Sequence, residues 1–98
     1  MPQTLLFDLA GETYGLEIAA LQEVVENPVV HPVPRAEEPL LGALNFHGRI
    51  LALIDLPRLL GFSAESHDHR RLVLTGDYEA MALAVTATRR IVRVDPTL

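Results

Sequence analysis

The chain has 98 residues, enough for one small domain, and its hydrophobic fraction of 49% is too high for an intrinsically disordered protein. Its apolar runs, such as Ile50 to Ile54, are far shorter than the roughly 20 residues of a membrane-spanning helix, so we expect no membrane insertion, and no signal peptide is evident. The formal net charge of −5 argues against a nucleic-acid partner.

The chain opens with a predicted β-hairpin. Gln3 to Ala10 and Thr13 to Glu17 have the apolar alternation of strands, and Gly11-Glu12 between them is a turn signal. From Ile18 to Val25 the apolar residues first follow helical spacing, which predicts one helical turn that then extends. Asn27-Pro28 ends this segment.

The next part of the chain is rich in proline and then strongly apolar. The prolines of Val29 to Pro34 predict an edge strand or an extended linker. Leu40 to Phe46 and Arg49 to Leu56 are predicted strands, with a tight reversal at His47-Gly48. Because Ile50 to Ile54 is apolar without alternation, we expect this strand to be buried on both faces.

The last third predicts a short helix followed by strands. Asp55 is expected to cap the helix, with Pro57 in its first turn and Gly61 at its end. Ser63 to His69 is a predicted surface loop. Strands are expected over three further segments, with a turn at Gly76-Asp77: Arg71 to Thr75, Ala80 to Thr86 and Arg89 to Val94. This mainly β pattern with short helices predicts a small barrel.

Little in the sequence has the pattern of catalytic chemistry. Without cysteine there is no thiol nucleophile and no zinc–thiolate site, and a cytoplasmic location is compatible. The sequence holds no glycine-rich phosphate loop and no nucleophile motif, so we expect no enzymatic activity and no cofactor. His67-Asp68-His69 is the most metal-like cluster. A metal-binding module or small enzyme that uses this loop therefore stays an alternative.

One pattern covers nearly the whole chain. Its centre is Leu41-Gly42-Ala43-Leu44-Asn45-Phe46-His47-Gly48-Arg49-Ile50, followed by Ile54-Asp55-Leu56 and Leu59-Leu60-Gly61. Tyr14-Gly15-Leu16 and Leu21-Gln22-Glu23-Val24 precede it. Together these segments resemble the CheW-like domain, the adaptor fold of bacterial chemotaxis arrays.

The resemblance implies a fold and a partner-binding role. The expected fold is a single domain over residues 1–98 built from SH3-like barrels, with a first barrel region at 1–61 and a partial second one at 70–98. The expected function is a non-catalytic adaptor for a chemoreceptor cytoplasmic tip, the regulatory domain of a chemotaxis histidine kinase, or both. An assembly or decoy module that does not couple a kinase is an alternative. The implied partner-binding positions are Leu21, Glu23, Gly42, Asn45, His47 and Gly48.

The chain also departs from the family pattern. His47 stands where the family has arginine, and family members continue beyond the point where this chain stops, so the second half is expected to be incomplete. The runs Leu40 to Leu44 and Ile50 to Ile54 would then keep an unfilled face, and Arg89 to Val94 an unpaired edge. We therefore expect a homo-oligomer, most simply a dimer, or a protein that is unstable without a partner. The alternative is that the remaining strands close into one compact barrel with the middle segment packed against it.

Overall fold

Two β-sheets make up most of the protein. The computed structural model describes residues 3–63, 66–75 and 80–94. A single 3-10 turn covers Ile18–Ala20, and the helix α1 covers Leu56–Leu59. The mainly β fold with short helices is confirmed. The strands in chain order are β1 (Gln3–Leu9), β2 (Glu12–Glu17), β3 (Leu21–Glu26), β4 (Leu40–Phe46), β5 (Arg49–Asp55), β6 (Arg70–Leu74), β7 (Met81–Ala84) and β8 (Ala87–Arg93).

The strands are distributed between a small sheet and a larger one. The small sheet has the order β2-β1-β8, and the larger sheet has the order β3-β6-β7-β5-β4. Neighbouring strands are antiparallel except β5 and β7, which are parallel. Each sheet takes strands from both chain regions, so the sheets do not follow the expected division between residues 1–61 and 70–98.

Two tight turns form the hairpins. Ala10 and Gly11 connect β1 to β2, and His47 and Gly48 connect β4 to β5. All four residues have positive φ, between 49° and 89°. Two-residue loops of this type match the right-handed twist of the flanking strands. The second turn lies where the sequence predicts it, and the first lies one residue earlier than predicted.

The helix α1 begins as the sequence predicts. The Asp55 carboxylate accepts a hydrogen bond from the Arg58 backbone N–H at 3.3 Å, and Pro57 occupies the first turn. A proline there loses no helical hydrogen bond, because the first N–H groups of a helix have no intrahelical partner. Gly61 follows with φ +90°, a conformation that glycine adopts without strain.

Buried side chains form two cores on opposite faces of the larger sheet. The first, the interface core, lies between the two sheets and contains Leu5, Phe7, Leu9, Leu72, Leu74, Leu83 and Val85. The second, the barrel core, lies on the other face and contains Leu44, Phe46, Leu51, Leu53, Val73, Ala82 and Ala84. Consecutive residues of β6 and β7 alternate between the two cores, as the period of a strand requires.

Burial in β5 differs from the prediction. Leu51 and Leu53 are each 1% exposed, whereas Ile50 is 67% exposed. The run Ile50 to Ile54 is therefore not buried on both faces. The expected unfilled face of Leu40 to Leu44 is also partly wrong, because Leu44 fills the barrel core together with Leu51 and Leu53.

The proline-rich segment crosses β4 at a single point. His31 and Ala43 exchange two backbone hydrogen bonds, at 2.7 and 2.9 Å. This crossing leaves no room above Gly42: a Cβ there would lie 2.7 Å from both the His31 carbonyl oxygen and the Val30 Cγ1. Glycine is required here because backbone passes directly over it.

Asp68 joins the loop before β6 to the start of β8. Its carboxylate accepts hydrogen bonds from the Thr88 N–H and hydroxyl, at 2.6 and 2.8 Å, and from the Arg70 N–H at 3.0 Å. Burial opposes ionisation of this carboxyl, but these hydrogen bonds outweigh it and lower the pKa of Asp68.

The contact above Gly42 gives a test of the fold. We expect Gly42→Ala to lower the free energy of unfolding by about 1–3 kcal/mol, because the new methyl group meets a backbone carbonyl that is fixed by two hydrogen bonds. Gly15→Ala is the matched control, since its Cβ would also lie 2.7 Å from a neighbour, but that neighbour is the Thr4 Cγ2 at the end of a side chain. Urea unfolding of both variants makes the comparison. Equal losses would contradict the assigned crossing.

The lowered pKa of Asp68 predicts a specific pH dependence. Its contribution to stability is fully present above the unfolded value of 3.8 and is lost as the pH falls through the lower folded pKa. Asp68→Asn should cost about 1 kcal/mol at pH 7 and should lose less stability than the parent between pH 5 and pH 2, a range of about three units around that transition. Urea midpoints across this range measure the effect, with Glu37→Gln in an exposed loop as control. Parallel pH curves for parent and Asp68→Asn would refute this role.

Candidate functional site

The tip of the β4–β5 hairpin closes one end of the barrel core. Phe46 is buried in that core, and its ring is covered by the two residues that flank Gly48. The His47 ring meets it edge-on at 4.3 Å between centroids, and the Arg49 guanidinium carbon lies 5.9 Å from its centroid. The buried Phe46 ring therefore holds the exposed side chains of His47 and Arg49 in place.

The larger sheet curls so that this tip approaches β3. The Arg49 guanidinium donates to the Gln22 Oε1 at 3.2 Å, and the His47 Nε2 lies 3.9 Å from the Glu23 Oε1. β3 is irregular at this point, because its pairing with β6 shifts register between Leu21 and Glu23. Such a bulge bends a strand and redirects its side chains.

The His47–Glu23 contact is weak in energy. The side chains are 74% and 49% exposed, and exposed ion pairs contribute between about 0 and 1 kcal/mol. A charge attraction to the Glu23 carboxylate requires protonated imidazole. The contact matters for where it places these groups, because it holds an exposed carboxylate and an exposed imidazole side by side.

Asn45 and Gly48 serve the geometry of the tip. The Asn45 side-chain oxygen accepts a hydrogen bond from the Gly48 N–H at 3.0 Å. Gly48 has φ +83°, where an L side chain is strained even though the space around it is open. Both residues hold the turn that presents His47.

The structure brings four of the six predicted site residues together: Glu23, Asn45, His47 and Gly48. The remaining two lie elsewhere. Leu21 is half-buried and packs against the interface core, and Gly42 is buried under the crossing at His31. Their roles in the fold are visible, and their roles in binding stay predictions.

Sequence reasoning did not identify three further residues at this surface. Gln22 of β3 and Arg49 of β5 contact each other, and Ile50, directly across from Asn45, exposes most of its side chain. We use the name hairpin-tip surface for Gln22, Glu23, Asn45, His47, Arg49 and Ile50. Ile50 adds an exposed apolar side chain on the face of the hairpin that it shares with Asn45.

The His67-Asp68-His69 loop does not form a metal centre in the described part of the chain. The Asp68 carboxylate is occupied by Thr88 and Arg70, and the His67 Nε2 lies 3.1 Å from the Asp55 Oδ1. Within residues 3–63, 66–75 and 80–94, no three potential ligands gather at one point. No helix among these residues is long and apolar enough to cross a membrane.

Comparison of the sequence with those of known proteins identifies a family and two relatives. A family model described as the CheW-like domain matches residues 3–97. The chemotaxis protein CheW of Thermotoga maritima is 22% identical over 72 residues, covering 74% of this chain and 48% of that protein. The chemotaxis protein CheV3 of Helicobacter pylori is 26% identical over 84 residues, covering 83% of this chain and 27% of the relative. The chain therefore spans half or less of the length of these curated relatives.

A solved structure confirms the similarity of fold. The scaffolding protein TtCheW from Thermoanaerobacter tengcongensis is similar with a TM-score of 0.88 and 28% sequence identity. The similarity covers 99% of this chain and 68% of that one. The resemblance that the sequence predicts is thus confirmed for both sequence and fold.

The hairpin turn can be tested apart from any binding function. We expect Gly48→Val to cost about 1–3 kcal/mol of stability, because a branched side chain is strained at φ +83°. Gly48→Asn should cost about 1 kcal/mol or less, because asparagine tolerates this backbone conformation. Thermal unfolding of the two variants beside the parent tests this. A Gly48→Val protein that melts like the parent would contradict the assigned turn.

Proposed function

Because the chain belongs to the CheW-like domain family, we propose that it is a non-catalytic adaptor that joins protein partners in bacterial chemosensory signalling. The observation that carries this proposal is the agreement of sequence and fold over nearly the whole chain, with residues 3–97 matching the family.

The proposed partners are a chemoreceptor cytoplasmic tip, the regulatory domain of a chemotaxis histidine kinase, or both, and the proposed location is the cytoplasm. The hairpin-tip surface supports this role by its composition. Protein interfaces combine apolar and polar contacts, and this surface offers the exposed Ile50 beside Asn45 together with the polar side chains of His47 and Glu23. Positive and negative groups side by side can orient a charged partner.

His47 is the residue of this surface most suited to setting partner choice. In the family pattern an arginine takes this place and is always charged, whereas histidine changes its charge near neutral pH. We expect His47→Arg to change the affinity for a receptor-derived helical hairpin by about threefold to tenfold, because the substitution supplies the permanently charged side chain of the family pattern.

The experiment measures binding of a receptor tip and of a kinase regulatory domain by surface plasmon resonance. His47→Asn is the control that keeps the turn, because asparagine also accepts positive φ, while it removes the titrating group. Glu37→Gln, in an exposed loop, controls for the general change in charge. Affinities that are unchanged in His47→Arg, His47→Asn and Glu23→Gln would remove the hairpin-tip surface from the binding site. Failure of both partners to bind the parent would reject the adaptor function.

Self-association is a further proposal about partners. In the described residues, β2 and β8 end the small sheet, and β3 and β4 end the larger one. Open edges can pair with another chain, and the simplest closed assembly is a symmetric dimer. We expect light scattering after size exclusion, at micromolar concentration, to give the mass of a dimer. A monomer that unfolds cooperatively would contradict self-association.

A further inference from the structure

The edge strand β8 exposes an apolar side chain on the face that is buried elsewhere in the small sheet. Ile91 pairs directly with Leu5, so the two side chains lie on the same face. Leu5 is 4% exposed and belongs to the interface core, whereas Ile91 is 53% exposed. The apolar face of the small sheet therefore continues to an uncovered position at β8. Among the described residues, β8 pairs only with β1.

The same strand is strongly cationic. β8 contains Arg89, Arg90 and Arg93 and no acidic residue. Arg89 donates from Nε to the Asp8 Oδ2 at 2.8 Å, and this hydrogen bond lowers the pKa of Asp8 and raises that of Arg89. Arg90 and Arg93 are exposed, and neither has an ion-pair partner within residues 3–63, 66–75 and 80–94. One edge of the small sheet thus presents two cations that the described protein does not neutralise.

We propose that β8 is a second docking edge, which takes up an extended acidic segment of a partner protein as an added strand. Backbone hydrogen bonds to a sheet edge give such a segment its affinity, and side chains give it specificity. Acidic residues of the segment pair with Arg90 and Arg93, and an apolar residue covers Ile91.

Charge decides between this occupant and a second copy of the same strand. Antiparallel pairing of β8 with another β8 would place arginines of both chains along one short edge, and like charges facing each other destabilise a sheet. An acidic strand gains attraction at the same positions. The proposed edge lies in the small sheet, whereas the hairpin-tip surface belongs to the larger sheet, so the two docking sites can be tested separately.

The test uses two synthetic peptides of eight residues with a terminal fluorophore. The Glu–Val peptide is Thr-Glu-Thr-Val-Glu-Thr-Glu-Thr, whose spacing lets glutamates lie across from Arg93 and Arg90 while valine lies across from Ile91. The Lys–Val peptide has lysine in place of every glutamate. Fluorescence anisotropy measures their binding to the whole chain. We expect the Glu–Val peptide to bind at least about tenfold more tightly than the Lys–Val peptide, with a preference that falls as salt is raised. Hydrogen exchange should slow in Ala87–Arg93 on addition of the Glu–Val peptide and stay unchanged in the β4–β5 turn. Equal affinity of the peptides, absence of binding, or protection elsewhere would overturn the proposal.

Reversing the charge of one β8 arginine tests whether the peptide binds at this strand. Arg93→Glu should weaken binding of the Glu–Val peptide by about fivefold and strengthen binding of the Lys–Val peptide. Arg35→Glu is the matched control, because it makes the same change of charge in an exposed loop. Equal effects of the two substitutions would reject β8 as the site. If light scattering gives the mass of a dimer and Arg93→Glu changes that mass, a second copy of the chain occupies this edge and the proposal is wrong. If the dimer mass is the same in Arg93→Glu, the dimer uses another surface, which agrees with the proposal. Loss of receptor or kinase binding in His47 variants has no bearing on this result.

Discussion

The fold depends on two short strands that are buried on both faces. In β6 and β7, alternate residues point to opposite faces of the sheet. The leucines of these strands pack in the interface core, and Val73, Ala82 and Ala84 pack in the barrel core. The side chains of β6 and β7 that face the barrel core are small, which leaves its narrow interior to the larger Leu44, Phe46, Leu51 and Leu53 of β4 and β5. A polar side chain at any of these positions would be buried without a partner in one of the two cores. Every other strand can keep a solvated face because these two strands separate the cores.

Local chemistry in the sequence predicts much of the secondary structure. The turn at His47-Gly48, the cap at Asp55 and the single helical turn before β3 all follow from rules that involve a few neighbouring residues. Burial is harder to read, because an apolar run is compatible with one buried face or two. Ile50 was assigned to the interior on that basis and is mostly exposed. The parallel pairing of β5 with β7 has no local signal, since it depends on a crossover that only the assembled core specifies.

The hairpin-tip surface could also be predicted only in part. The resemblance implies both Glu23 and His47 as partner-binding positions, and the structure brings their side chains to 3.9 Å. The contact of Arg49 with Gln22 joins residues that are 27 positions apart, and no spacing rule connects them. It depends on how the larger sheet brings the start of β5 close to β3, which is one end of that sheet. The resemblance could therefore identify part of the site, and only the packed sheet shows what completes it.

The arginines of β8 have two consequences that follow from the same electrostatics. Charged side chains on an edge strand normally protect a protein from aggregation, because another edge of like charge is repelled. That protection is selective. A cationic edge repels its own copies and attracts acidic strands, and the uncovered side chain of Ile91 adds an apolar contact that a fully polar edge would lack. The formal charge of the whole chain is −5, so the positive potential is local to β8 and does not extend over the surface. An edge of this kind favours acidic partners over basic ones through its charge, independently of how well their side chains fit.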